Sequence, residues 1–105
     1  MNAVENQVRE LVKVELAAAN ERFPPFHSAH EGWAVILEEV DELKAEVKQV
    51  DEYFCFVWTA IKYDWSSAEY IKEVYGHAIN AACEAIQVAA MCQKFLEMEG
   101  KHEAL

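Results

Sequence analysis

The sequence predicts an all-α protein of four helices, arranged like a four-helix bundle. Hydrophobic residues make up 53% of the 105 residues, whereas glycine occurs three times and proline twice. Apolar side chains recur at spacings of three and four, which is the period of an amphipathic helix. This length and composition predict one folded domain over residues 1–105, with a real hydrophobic core, rather than a disordered chain.

We predict that the first helix runs from Ala3 to Glu21. The segment Phe23-Pro24-Pro25-Phe26 ends it, because proline cannot continue a helix and restricts the residue before it. Ser28 and Glu31 have the spacing of a capping box and open a second helix, which we expect to end near Gln49. The apolar stripe of the first helix comprises Val4, Val8, Leu11, Val12 and Leu16.

A third helix is predicted from about Asp51 to Tyr63 and a fourth from about Ala68 to Glu97. The turn between them contains a second capping box, formed by Ser66 and Glu69, and Gly76 is a potential break in the fourth helix. We expect the apolar positions of the middle helices to form the core or a dimer interface, namely Trp33, Ile36, Val40, Leu43, Val47, Phe54, Phe56, Val57, Trp58 and Ile61.

The formal net charge of −10 argues against binding to nucleic acid or to an anionic membrane surface, because both require a basic face. No apolar run approaches the ~20 residues that span a bilayer, and residues 1–6 do not read as a signal peptide. Three cysteines without a C-x-x-C pair indicate buried free thiols in a reducing cytoplasm.

Glu84 is the most informative residue, because it is the only charged residue between Ala78 and Cys92. A helix that is apolar on nearly every side is normally buried, and a buried carboxylate needs a cation, hydrogen-bond donors or a proton. The same apolar element predicts a homodimer, since four short helices could not cover it completely.

Two helices carry acidic or amide side chains at i, i+3 spacing, which places both members of a pair on one face. Glu39 and Glu42 form the first pair, and Glu84 and Gln87 form the second. Mg²⁺ and Mn²⁺ prefer such oxygen ligands and accept substrate phosphates at their open positions. The pattern therefore predicts a Mg²⁺ site, with Mn²⁺ as an alternative, that could support hydrolysis of a phosphoanhydride. Asn80 extends the polar face of the fourth helix, with His77 near its edge.

The motif Glu38-Glu39-x-x-Glu42, followed by Glu84-x-x-Gln87, resembles the E-E-x-x-E … E-x-x-D signature of the MazG-like all-α nucleoside triphosphate pyrophosphohydrolases. The segment from Phe23 to Trp33 is similar to the small phage and prophage members of that family, and the resemblance extends from Ala17 to Phe95. Tyr53 to Tyr75 is its least similar part.

The resemblance implies a dimer or a dimer of dimers, and Mg²⁺-dependent cleavage of an NTP or dNTP to the monophosphate and pyrophosphate. Glu39, Glu42 and Glu84 would hold the metal, with Gln87 in the place of the family's aspartate. Glu38 would be a further ligand or would orient the attacking water. Among the remaining polar and aromatic residues, Asn80 and His77 are candidates for binding the substrate, and Trp65 for stacking on its base.

Three alternatives remain open at this stage. The acidic run of the second helix could be an ordinary solvated face, and Glu84 could be bonded to Asn80 or to a lysine. Because Gln87 is neutral, the chain could instead be a relative that binds a nucleotide or a protein without turnover. A dimerisation module without a ligand is the third alternative.

Overall fold

The computed structural model describes residues 3–100, and these residues form an all-α fold without a strand. Three helices follow one another along the chain: α1 (Glu5–Arg22), α2 (Ala29–Lys62) and α3 (Ala68–Met98). The prediction of an all-α fold is confirmed. None of the helices in the described range is both long and apolar enough to span a membrane.

Helix α1 ends where the proline pair predicts. Phe23 is extended, with φ −132° and ψ 142°, which is the conformation that a residue before proline prefers. Its backbone N–H still donates to the carbonyl of Ala19 at 2.9 Å, so the last turn of α1 is closed before the chain leaves it.

The start of α2 shows one half of the predicted capping box. The Ser28 hydroxyl accepts a hydrogen bond from the Glu31 backbone N–H at 3.1 Å. The Glu31 carboxylate bonds to His27 instead of Ser28, with 2.9 Å between Oε2 and the ring Nδ1. The hydrogen bond from the His27 side chain is the main cause that lowers the pKa of Glu31, partly opposed by desolvation. The start of α2 is therefore stabilised by two contacts, the Ser28 hydroxyl cap and the bond between Glu31 and His27.

The predicted boundary between a second and a third helix, at Gln49 and Asp51, is wrong. Helix α2 is a single helix of 34 residues, so the described chain has three helices where four were predicted. No glycine or proline occurs between Gly32 and Gly76 to interrupt the backbone hydrogen bonds. Gly76 likewise lies inside α3 without ending it.

A glycine-free Schellman motif ends α2. The Trp65 N–H donates to the Ala60 carbonyl at 2.9 Å, and the Asp64 N–H donates to the Ile61 carbonyl at 3.2 Å. Asp64 has a φ of +55°, in the left-handed region that this motif requires and that aspartate tolerates. Beyond it, Ser66 Oγ accepts from the Ala68 N–H at 3.4 Å and Glu69 bonds to Lys72, so the predicted Ser66–Glu69 box does not form.

The chain packs as two compact units, which we describe separately. The first unit contains α1, α2 up to Val40 and α3 from Ala85. Its buried apolar residues are Phe26 and Ala90, and Gly32 lies against the rings of Phe26 and Phe95.

The second unit, Asp41–Glu84, is an antiparallel hairpin of the remaining parts of α2 and α3, and we call it the hairpin unit. Val57 and Ala60 are its buried residues. Tyr53 of α2 stacks on His77 of α3, with ring centroids 5.6 Å apart. Nearer the turn, the rings of Phe56 and Tyr70 are also 5.6 Å apart. These contacts fix which turns of the two helices face each other.

Much of the predicted core lies on the surface of the single chain. Of the ten positions expected in the core or in a dimer interface, only Val57 is buried in the single chain, and Trp33 is 64% exposed. The free thiols are confirmed as free, but Cys55 and Cys83 are exposed, and only Cys92 is partly buried. Burial raises the pKa of the Cys92 thiol. The apolar spacing correctly predicts helices, but within a single chain no other helix covers most of these apolar side chains.

Candidate metal centre

Two carboxylates of the hairpin unit approach each other across its helices. Glu42 on α2 and Glu84 on α3 offer oxygens that lie within 4.8 Å of each other. Glu39 stands one turn before Glu42 on the same uninterrupted helix, and its carboxylate also offers an oxygen within 4.8 Å of that of Glu42. We refer to these three side chains as the carboxylate cluster. Its members are the three glutamates that the sequence predicts as metal ligands.

The carboxylate cluster fits a hard divalent cation. Opposite ligand oxygens around an octahedral Mg²⁺ stand roughly 4 Å apart, so small side-chain movements would bring these carboxylates onto one ion. Like charges this close repel one another, and a bound cation would turn the repulsion into attraction. Glu39 and Glu84 are half-buried and Glu42 is exposed, so the cluster is open to solvent and to a substrate.

The amide and acidic side chains predicted beside these ligands keep their expected positions along the helices. Gln87 is half-buried one turn after Glu84 on α3, and Asn80 is exposed one turn before it. Glu38 precedes Glu39 and is exposed. Gln87 therefore lies on the same face of α3 as Glu84, and Glu38 is in contact with solvent.

His77, predicted as a substrate-binding residue, already contacts side chains of the hairpin unit. Its Nδ1–H donates to the Glu46 carboxylate at 2.6 Å, because an ionised carboxylate can only accept. Its Nε2 lies 3.6 Å from the Glu73 carboxylate, and its ring stacks on Tyr53. Glu46 is therefore a residue whose role the sequence did not reveal. The only signal was its position, one turn after Glu42 on the acidic face of the helix.

Trp65 is not brought to the carboxylate cluster of its own chain. It stacks on Tyr63 in the turn, with ring centroids 5.0 Å apart, and is 62% exposed. Twenty residues of α2 separate Glu42 from Lys62, which is roughly 30 Å at ~1.5 Å per residue. Trp65 could reach a base only at a carboxylate cluster belonging to another copy of the chain.

The comparisons with known proteins give no assignment. The chain matches no protein-family model, no curated protein and no solved structure.

Proposed function

We propose that this chain is a Mg²⁺-dependent nucleoside triphosphate pyrophosphohydrolase, which cleaves an NTP or dNTP to the monophosphate and pyrophosphate. The observation that carries the proposal is the carboxylate cluster, in which Glu42 and Glu84 meet across two helices. Its members occupy the acidic positions of the E-E-x-x-E … E-x-x-D pattern, with Gln87 at the last position. The function would be the trimming of a cytoplasmic nucleotide pool by a protein of the small phage or prophage type.

In this proposal the residues of the chain bind and orient, and the cation supplies the charge. Glu39, Glu42 and Glu84 hold Mg²⁺, with the Gln87 amide oxygen as a weaker ligand. The bound ion would neutralise the phosphate oxygens and make water more acidic. Glu38 faces solvent beside these ligands, where it can orient an attacking water. Catalysis on this scheme is mainly electrostatic.

The proposed active form is a homodimer. Val47, Phe54, Trp58 and Ile61 are spaced by seven, four and three residues, so they follow one face of α2, which we call the outer stripe. All four side chains are more than half exposed. Pairing two hairpin units through their outer stripes would produce a four-helix arrangement and cover these side chains.

Gln87 favours a second candidate function, the binding of a nucleotide without turnover. An amide supplies an oxygen but no negative charge, and the affinity of an oxygen site for a divalent cation depends on the charge of its ligands. Such a protein would still hold a nucleotide–Mg²⁺ complex at the carboxylate cluster, but it would release no pyrophosphate.

The test is pyrophosphate release from a panel of NTPs and dNTPs, with Mg²⁺ and Mn²⁺ supplied separately. We expect release from one or a few nucleotides, and its loss in Glu42→Gln and Glu84→Gln. Glu69→Gln is the matched control, because it removes an exposed carboxylate of α3 that pairs with the exposed Lys72. Circular dichroism would show that all three variants remain folded.

A second measurement separates binding from turnover. A specific cation site raises the melting temperature by mass action, and we expect this shift with Mn²⁺ in the wild type but not in Glu84→Gln. If the shift with Mn²⁺ grows further when a nucleotide is added and pyrophosphate release is absent, the nucleotide-binding alternative replaces the enzyme. Activity that persists in both Glu42→Gln and Glu84→Gln would refute the assignment of the site.

A further inference from the structure

A buried lysine in the first unit has an ammonium group without an oxygen acceptor among the described residues. Lys94 is only 5% exposed, and it is the one charged residue of the described chain that is buried. Its Nζ lies 5.0 Å from the ring centroid of Phe26, and no carboxylate of the described residues lies within ion-pair distance. Lysine is rarely buried unless it is paired, since desolvating an ammonium without an oxygen acceptor is unfavourable.

The ring of Phe26 explains only part of this arrangement. An aromatic face attracts a cation, but it does not replace the oxygen acceptors of three N–H groups. No fully enclosed side-chain nitrogen of the described residues lacks a hydrogen-bond partner. The Lys94 ammonium has no such partner among residues 3–100, so it is not fully enclosed and keeps some contact with solvent.

Lys94 lines a cavity of about 400 Å³, a volume typical of small-molecule sites. Phe23, Pro24, Pro25 and Met98 supply the apolar part of its lining. Asn20 and Glu97 supply the remaining polar groups. The lining thus combines apolar side chains with a lysine that is buried, and these are the groups that recognise an amphipathic anion.

The neighbouring charges limit the anion to a single negative charge. Glu97 contributes a carboxylate to the same lining, and the charge of Lys94 also acts on Glu31, where it adds to the stronger effect of His27 in lowering that pKa. A dianionic phosphate or a nucleotide would bring two or more negative charges to one cation beside Glu97, whereas a monocarboxylate matches the single ammonium.

We propose that this cavity is a binding site for a small monocarboxylate with an apolar or aromatic body. The carboxylate accepts hydrogen bonds from the Lys94 ammonium, and the body packs against Phe23, the two prolines and Met98. The site lies wholly within the first unit and does not depend on the nucleotide chemistry proposed for the carboxylate cluster.

The experiment is a titration of the ¹⁵N-labelled full-length chain with 3-phenylpropionate, followed by amide NMR. We expect saturable shifts at the amides of Asn20, Phe23 and Lys94. Three probes with a phenylpropyl body test the charge: 3-phenylpropanol, 3-phenylpropylamine and 3-phenylpropyl phosphate. The alcohol and the amine cannot form the charged hydrogen bond with Lys94, and the second negative charge of the phosphate is repelled by Glu97. Each of the three probes should therefore bind at least about tenfold more weakly than the carboxylate.

Two variants test the residues. Lys94→Met keeps an unbranched side chain of similar length and should remove binding of 3-phenylpropionate. Lys62→Met is its matched control, because Lys62 also lies over an aromatic ring, 5.8 Å from the centroid of Trp58, but is exposed. It should bind like the wild type. Met98→Trp, which fills the cavity from its apolar side, provides the test if Lys94→Met does not fold.

Three results would overturn the proposal. One is the absence of saturable shifts with 3-phenylpropionate up to about 10 mM, a concentration beyond the weak end of specific binding. The second is equal binding of the alcohol and the carboxylate, and the third is unchanged binding in both Lys94→Met and Met98→Trp. Any of them would mean that Phe26 and solvent suffice for the Lys94 ammonium.

Discussion

Gln87 is the position at which this chain departs from the ligand pattern of the MazG-like family. It stands one turn after Glu84 on α3, where the MazG-like pattern has an aspartate. Replacing its amide with a carboxylate adds one negative charge to the ligand set, and ligand charge largely sets the affinity of an oxygen site for a divalent cation. We expect Gln87→Asp to tighten Mn²⁺ binding by roughly tenfold, measured by isothermal titration calorimetry.

Gln93→Asp is the control for this change, since it adds the same charge to α3 nearly two turns further on. It should leave the Mn²⁺ affinity close to that of the wild type. Equal tightening in both variants would indicate a nonspecific effect of net charge, and weaker binding in Gln87→Asp would argue that Gln87 is not a ligand.

Glu31 makes a pH-dependent contribution to stability. The hydrogen bond from His27 holds its pKa below the usual 4.5 in the folded chain, so the unfolded chain binds a proton more readily than the folded one. The stabilisation is therefore complete above about pH 4.5 and is lost as the pH falls through the lowered pKa. We expect urea unfolding between pH 6 and pH 3 to show a shallower decline in Glu31→Gln than in the wild type.

Ser28→Ala serves as the comparison, because it removes the hydroxyl cap of α2 without changing a titratable group. It should lower the free energy of unfolding by about 1 kcal/mol at every pH. An acid-side slope that is identical in Glu31→Gln and the wild type would show that the contact with His27 has no energetic consequence.

Residue identity predicted the three glutamates of the carboxylate cluster but not their surroundings. Glu39, Glu42 and Glu84 were identifiable because i, i+3 spacing fixes a helix face, and the resemblance linked the two helices. The contacts of His77 with Glu46 and Tyr53 depend on how α2 and α3 align across the hairpin unit. No local pattern encodes that alignment, so His77 was interpreted as a substrate ligand.

At the scale of the helix, the two internal glycines have opposite environments. A Cβ on Gly32 in α2 would lie 2.5 Å from Cδ2 of Phe95 and 3.0 Å from Cδ2 of Phe26, whereas a Cβ on Gly76 in α3 would meet nothing within 4 Å. We expect Gly32→Ala to lower the free energy of unfolding by roughly 1–3 kcal/mol, because overpacking outweighs the gain in helix propensity. Gly76→Ala should raise it by roughly 0.5–1 kcal/mol.

Urea unfolding at one fixed protein concentration measures both changes, since stability would depend on concentration in a dimer. Each variant controls for the other, because both make the same substitution inside a helix. Stabilisation by Gly32→Ala would mean that the Phe95 ring moves aside without loss of packing.

The helix boundaries that the sequence predicted correctly are those with a chemical signal. Pro24 and Pro25 end α1, and Ser28 starts α2. The boundary at Gln49 rested on no proline, glycine or cap, and α2 continues through it. The end of α2 at Lys62 is within one residue of the predicted end at Tyr63, although the left-handed residue that follows is Asp64 and not a glycine.

At the scale of the molecule, the exposed outer stripe is the strongest indication of a second copy. We expect the chain to sediment as a dimer at micromolar concentration, and Phe54→Glu to weaken self-association at least about tenfold, because a charge at an apolar contact is unfavourable. Val14→Glu is the control, since Val14 on α1 is 63% exposed and lies outside the hairpin unit. A monomeric wild type, or a Phe54→Glu variant that still dimerises, would contradict the pairing through the outer stripe.

The burial of apolar faces could not be predicted from one chain, and the reason is physical. Periodicity identifies a face that needs a partner, but it does not say whether the partner is another helix of the same chain or a second copy. Phe54 and Trp58 have the spacing of core residues and are 60% and 59% exposed.

The contact between His77 and Glu46 makes the histidine a built-in reporter for the carboxylate cluster. If α3 slipped by one turn along α2, about 5.4 Å, Nδ1 would leave Glu46 and Glu84 would leave Glu42 in the same movement. The ring resonances of a single imidazole would then record whether two glutamates are in place, before any cation is added. In the metal-free protein, the signal of His77 would thus show whether α2 and α3 are aligned so that Glu42 and Glu84 lie together.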